Sequence, residues 1–136
     1  MRVLIVNTSE STGGAAVAAH RLMEALNNNG VKAKMLVAEK HSDSISVVGM
    51  QRHLAARWHF LWERWCIFCH LMFSRQHLFD IDMANSGFDI THTPEFKEAD
   101  VVHLHWVNQG MLSLKSVRKI LRSGKPVVWT MHDLWP

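Results

Sequence analysis

A chain of 136 residues, close to half hydrophobic and one fifth charged, has the make-up of one globular domain able to bury its own core, and disorder is excluded. The formal charge is only +3 and no basic stripe is interleaved with aromatics, so nucleic acid is not an expected partner. Two cysteines give no disulfide framework, and the first apolar run stops at Asn7, too short for a signal-peptide core or a membrane span; both point to the cytoplasm.

Val3-Leu4-Ile5-Val6 is an apolar run rich in β-branched residues and reads as a strand. Asn7 to Gly14 is a polar, glycine-ended loop, and Ala15 to Leu26 spaces its apolar groups as an amphipathic helix does. Such a unit aims the free N–H groups of the helix N-terminus, with the positive end of its dipole, into the crevice beyond the strand. An anion or polar ligand is expected against Gly13, Gly14 and Ala15. The same Gly-Gly also suits a helix that needs only a tight entry turn. Asn27 to Gly30 is a helix stop, and Val31 to Ala38 reads as a second strand, so a right-handed βαβ unit with parallel pairing follows. Glu39 to Ser46 is a polar surface loop; Ile45 to Val48 reads equally as a short strand or as packing.

Gln51 to Arg75 is the longest helical stretch. Leu54, Trp58, Leu61, Trp62, Trp65, Phe68, Cys69 and Met72 recur at helical steps, with Arg57, Glu63 and Arg64 on or near another side. Phe60, Ile67, Leu71 and Phe73 widen the apolar surface beyond one stripe. Two uses compete: a helix packed between the sheet and another domain, or a face turned to a membrane surface or a lipid-linked substrate, where Trp, Arg and His suit the interface. Cys66 and Cys69 share a helical face but lack the further ligands that a zinc site needs, and burial as small apolar residues accounts for them.

Leu78 to Lys97 is irregular, broken by Asn85-Ser86-Gly87 and Thr93-Pro94, with a turn or helix start at Pro94 to Lys97. Val101 to Trp106 and Val127 to Asp133 are strands by composition, joined by a helix from Leu112 to Ser123 that stops at Gly124. The fold class is therefore α/β: a Rossmann-like open, mostly parallel sheet with helices on both faces. In the first of these two strands, alternation groups Val101, His103 and His105 on one face and Val102, Leu104 and Trp106 on the other. His103 reads as a hydrogen-bonded core histidine. His105, Trp106, Asn108 and Gln109 fall at the carboxyl end and in the loop beyond, where open α/β sheets bind ligands; His132 and Asp133 arrive at the corresponding end of the last strand. Imidazole, carboxamide and indole groups suit sugar recognition, hydrogen-bonding hydroxyls and stacking on the ring. The alternative is that these histidines serve loop backbone alone. Neither a G-x-G-x-x-G nor a G-x-x-x-x-G-K-[ST] is present, which leaves Glu39 a weak ribose ligand, and no G-x-S-x-G elbow supports a hydrolase.

The first strand followed by TGGAA, then ADVVHLHWVNQGMLSL, then GKPVVWTMHDLWP, resembles the N-terminal half of family 4 glycosyltransferases, retaining nucleotide-sugar-dependent enzymes of the GT-B architecture. The likeness spans essentially the whole chain and is most specific at HLHW and VVWTMHDLWP. It implies a two-domain enzyme with the acceptor held mainly by this half and the sugar nucleotide mainly by a second domain. That domain, with its basic residues and Glu-x7-Glu pair, is not in this chain, so residues 1–136 are expected to be the acceptor-side domain of a longer enzyme, inactive alone. By this resemblance Gly13 and Gly14 meet the donor diphosphate or the acceptor, His132 stands beside the transferred sugar as the catalytic position, and His105 with Asn108 shapes the acceptor pocket. No protein nucleophile, metal or cofactor is expected; the partners are a nucleotide-sugar donor and a saccharide or lipid-linked acceptor, with a peripheral contact of residues 51–75 on the inner membrane face. Two other classes stand beside it: a free-standing flavodoxin-like binding module, and a membrane or partner adaptor working through the Trp-rich helix.

Overall fold

The strands are β1 (Arg2–Ser9), β2 (Lys32–Glu39), β3 (Val47–Gly49), β4 (Val101–Leu104) and β5 (Val127–Trp129). The helices are α1 (Gly14–Asn28), α2 (His53–His70), α3 (Pro94–Glu98) and α4 (Leu114–Leu121), with a 3₁₀ turn at Ile90–His92. This is a computed structural model that describes residues 1–50, 53–71 and 83–132, residues 53–56 by their backbone alone. Among the described residues the strands form one five-stranded sheet in the order β3-β2-β1-β4-β5, and every pairing is parallel. The α/β, Rossmann-like open sheet expected from the sequence is what forms.

The order follows from the connections. β1, α1 and β2 make one crossover, and the chain then returns to the other side of β1 for β4, so the strand order reverses between β1 and β4. Each face of the sheet has its own core. Val3, Ile5, Met35 and Val37 pack under Ala19 and Met23 of α1 on one side. Leu4, Val6, Leu36, Val102 and Leu104 pack with Phe88, Ile90, Phe96, Leu112, Val117 and Ile120 on the other. The alternation of a strand between two buried layers explains why β1 is apolar at consecutive positions.

Several boundaries differ from the sequence reading. β1 runs on to Ser9 because Asn7 and Thr8 bond to the segment after β4, which replaces the hydrogen bonds that a loop would give to water. β4 ends at Leu104 and β5 at Trp129, so His105, Trp106 and His132 lie just past the ladder. α4 is shorter than its apolar pattern, starting only after Ser113, whose hydroxyl accepts the Ser116 N–H. Val47–Gly49, open in the sequence, is an edge strand on β2.

α2 does not pack its aromatic stripe on the sheet. Its aromatic stripe faces outward: Trp58, Leu61, Trp62 and Trp65 are 64, 59, 47 and 57 % exposed. Glu63, Arg64 and Ile67 are buried instead. The Glu63 carboxylate accepts the N–H groups of Met83 (2.9 Å) and Ala84 (2.6 Å), and the Arg64 guanidinium lies 3.8 Å from it. His59 pairs with the Ser86 hydroxyl and sets its ring edge-on to Phe88 at 5.1 Å. Backbone donors in a buried loop demand acceptors, and that demand turned the helix. Cys66 is half-buried but Cys69 is exposed, against the expectation that both are small core residues. The ends of the 51–75 stretch, with Met72 and Phe73, and the Leu54 side chain lie outside the described residues.

Candidate functional site

The carboxyl ends of β1, β2, β4 and β5 share one edge of the sheet, and the polar residues singled out in the sequence collect there. Asn7 and Thr8 organise it. The Asn7 carboxamide accepts the Trp106 N–H at 3.0 Å and donates to the Ser9 carbonyl at 2.6 Å. Thr8 donates from its backbone N–H to the Trp106 carbonyl (2.8 Å), and its hydroxyl lies 2.9 Å from the carbonyls of Trp106 and Asn108. The loop after β4 is thereby fastened across the point where the strand order reverses. The turn continues through Gln109 (φ 57°) and Gly110 (φ 80°). A Cβ on Gly110 would come within 3.1–3.2 Å of the α2 backbone at His59 and Phe60, so this glycine sets how closely α2 approaches the site.

On the next loop Gly13 takes φ 87°, which favours glycine, and forms the start of α1 with no side-chain cap and no acidic residue in the first turn. A Cβ at Gly13 or Gly14 would meet nothing within 4 Å, so the space before the helix N-terminus is open. Glu10, buried in the same loop, accepts the N–H groups of His41 and Ser42 and the Ser42 hydroxyl. Burial raises its pKa, but the Ser42 hydroxyl and the two N–H groups outweigh that and hold it below the ordinary carboxylate value. Glu10 thus ties the loop after β1 to the loop after β2; it carries no motif, and only the tertiary pairing reveals it.

The histidines are brought together as their strand positions imply. His105 Nδ1 and His132 Nε2 are 2.9 Å apart with the rings stacked at 5.2 Å, and the His103 ring lies 4.4 Å from that of His105. His103 Nε2 meets the Thr130 hydroxyl at 2.8 Å, the partner that its position called for. Only 4 % of His105 is exposed, and its Nε2 has no hydrogen-bond partner among the described residues. Burial, then the neighbouring His103 and His132, push its pKa down to about 4, so it is neutral at pH 7. His103 is lowered by burial and by His132. His132 itself is exposed, as a group that meets a ligand must be. Asp133 lies outside the described residues.

A cleft of about 480 Å³, lined by none of these histidines, opens at the ends of β1 and β2. Thr8, Ser9, Thr12 and Gln109 line one side, Glu39 and His41 another, and Arg57, Phe60 and Leu61 of α2 form the far wall. Hydroxyls, a carboxamide and a carboxylate facing an aromatic ring give hydrogen bonds for hydroxyl groups and an apolar surface for a sugar ring. Of the residues chosen from the sequence as ligand-binding, Gln109 alone lines the cleft; Gly13, Gly14 and Ala15 follow Thr12 at its side, Asn108 is buried and Trp106 half-buried. Arg57 and Leu61, on the exposed side of α2, and half-buried Phe60 line the cleft although the sequence reading did not single them out as ligand-binding. The chain matches no protein-family model, no curated protein and no solved structure.

The sheet face that carries His103, His105, Thr130 and His132 is covered by α1 over β1 and β2, while on β5 Val128 is 48 % exposed among the described residues.

Proposed function

We propose that this chain is the acceptor-side half of a retaining, nucleotide-sugar-dependent glycosyltransferase of the GT-B type, working in the cytoplasm. The observation that carries the reading is the lining of the cleft: hydroxyls, a carboxamide and a carboxylate opposite an aromatic ring at the carboxyl ends of β1 and β2. The uncapped α1 N-terminus and the His105–His132 pair follow strand ends on the same side of the parallel sheet. In this reading the acceptor saccharide occupies the cleft, its hydroxyls toward Thr8, Ser9, Thr12 and Gln109 and a ring face toward Phe60. The N–H groups at Gly14 and Ala15 favour the negative charge that grows on the departing nucleotide diphosphate. His132, exposed and hydrogen-bonded to a neutral His105, offers a hydroxyl partner to the transferred sugar. His105 holds the orientation of that ring. No metal or cofactor is called for, and no side chain serves as a nucleophile: the leaving phosphate takes the acceptor proton.

In this reading a second domain of a longer protein supplies the donor-nucleotide site. The test is direct. The full-length protein is assayed with nucleotide sugars, and the anomeric configuration of the product is read by NMR; retention, with a loss of at least 100-fold in kcat for His132→Ala, supports the reading. An inverted product overturns it. Tight binding of a nucleotide or flavin by residues 1–136 alone, with no transfer by the longer protein, would assign the site to a binding module.

A further inference from the structure

The outward face of α2 sets Trp58, Leu61, Trp62 and Trp65 in one line at helical spacing, with the indoles of Trp58 and Trp62 stacked at 6.3 Å. No described residue covers them. The fixed charge of the stretch is mostly of one sign: residues 51–75 hold four arginines and a single carboxylate, and Arg57 is exposed at the end of the line. Glu63, the one carboxylate of the helix, is fully buried beneath the opposite face. Indole is an amphipathic ring whose N–H keeps a hydrogen bond to water or headgroups while its body leaves water, and a cationic, aromatic helix face of this kind lies in a membrane interface. No helix among the described residues is long and apolar enough to cross a membrane, so the contact is one of lying on the surface.

We propose that this face of α2 docks on an anionic membrane surface, with Trp58, Leu61, Trp62 and Trp65 at the boundary between headgroups and acyl chains and Arg57 among the lipid phosphates. Charge decides against a second copy as the occupant. Two such faces brought together would set arginine against arginine with no carboxylate of the helix to match them, whereas anionic lipid complements them. The docking stands whether or not the chain transfers sugar. Arg57 and Leu61 belong both to this face and to the wall of the cleft, so the cleft opens beside the membrane. Taken with the glycosyl-transfer reading, on which this last step rests, the acceptor is a saccharide anchored in lipid.

The experiment uses the chain itself and no enzyme assay. Cosedimentation with vesicles of phosphatidylglycerol and phosphatidylcholine is compared with phosphatidylcholine alone, for the native chain and for Trp58→Ala/Trp62→Ala/Trp65→Ala, with circular dichroism to show that both are folded. Binding to the anionic vesicles, at least tenfold weaker in the triple variant and about fivefold weaker in Arg57→Gln, is the expected result. In parallel, brominated acyl chains quench the tryptophan fluorescence of the native protein, a readout that needs no variant. Absence of both binding and quenching overturns the proposal, as does binding that the triple substitution leaves unchanged. A concentration-dependent dimer that the same substitutions abolish, without vesicle binding, overturns it in favour of a second copy.

Discussion

Neutral, buried His105 makes stability depend on pH in a defined window. Its pKa falls from 6.5 to about 4 on folding, so between these values the unfolded chain binds a proton that the folded chain refuses. The stabilisation is complete above pH 6.5 and is lost as the pH falls from there through 4. Taking these two values, the folded state loses about 2 kcal/mol between pH 7 and pH 4.5 through this group. His105→Gln keeps a polar side chain of similar reach but removes the titration. Urea unfolding followed by circular dichroism at both pH values measures the difference. The native chain is expected to lose about 2 kcal/mol more than the variant over the interval. His59 and His103, also lowered by burial, titrate in both proteins and drop out of the comparison apart from their coupling to His105. Equal losses in the two proteins would refute the reasoning and mean that His105 takes up its proton without leaving its place.

Other outcomes follow from particular contacts. Glu63→Ala removes the acceptor of two buried loop N–H groups and is expected to cost about 3 kcal/mol in urea unfolding, far more than Trp62→Ala on the exposed side of the same helix. Asp89, held down to about 2 by the Lys119 ammonium and by Thr91, should titrate measurably higher by carboxyl-carbon NMR in Lys119→Ala. Gly110→Ala places an L side chain at φ 80° against the α2 backbone and is expected to cost about 1–2 kcal/mol in thermal unfolding.

Much of the fold was legible because its signals are local. The Val3–Val6 run, the Gly13–Gly14 entry to α1, the Asn27–Gly30 stop and the β-branched starts of β4 and β5 each depend on a few neighbouring residues. The pairing of His105 with His132 was also legible, since it needs only two adjacent parallel strands ending at the same level. The orientation of α2 was not. Its apolar periodicity left the tryptophans either packed against another body or exposed, and the inward Glu63 is held by the N–H groups of Met83 and Ala84, some twenty residues away, which no periodicity can register. For the same reason Glu10 and the α2 side of the cleft went unread: their contacts are with residues that are distant in sequence.

The position of β1 has a consequence for how the chain comes to be folded. Its first strand is the middle of the sheet, and Arg2 pairs with Asp100 across a separation of 98 residues. As synthesis proceeds, β1, α1 and β2 can close together early, because their contacts are near in sequence. The other edge of β1 then stands bare, with its N–H and C=O groups and the apolar Leu4 and Val6 unshielded, until β4 emerges more than sixty residues later. A parallel partner recruited over that distance is slow to arrive, and the waiting edge is a template for any other extended strand. The hazard of aggregation is therefore greatest while the residues between β2 and β4 are being made, and it ends when Val101–Leu104 takes its slot.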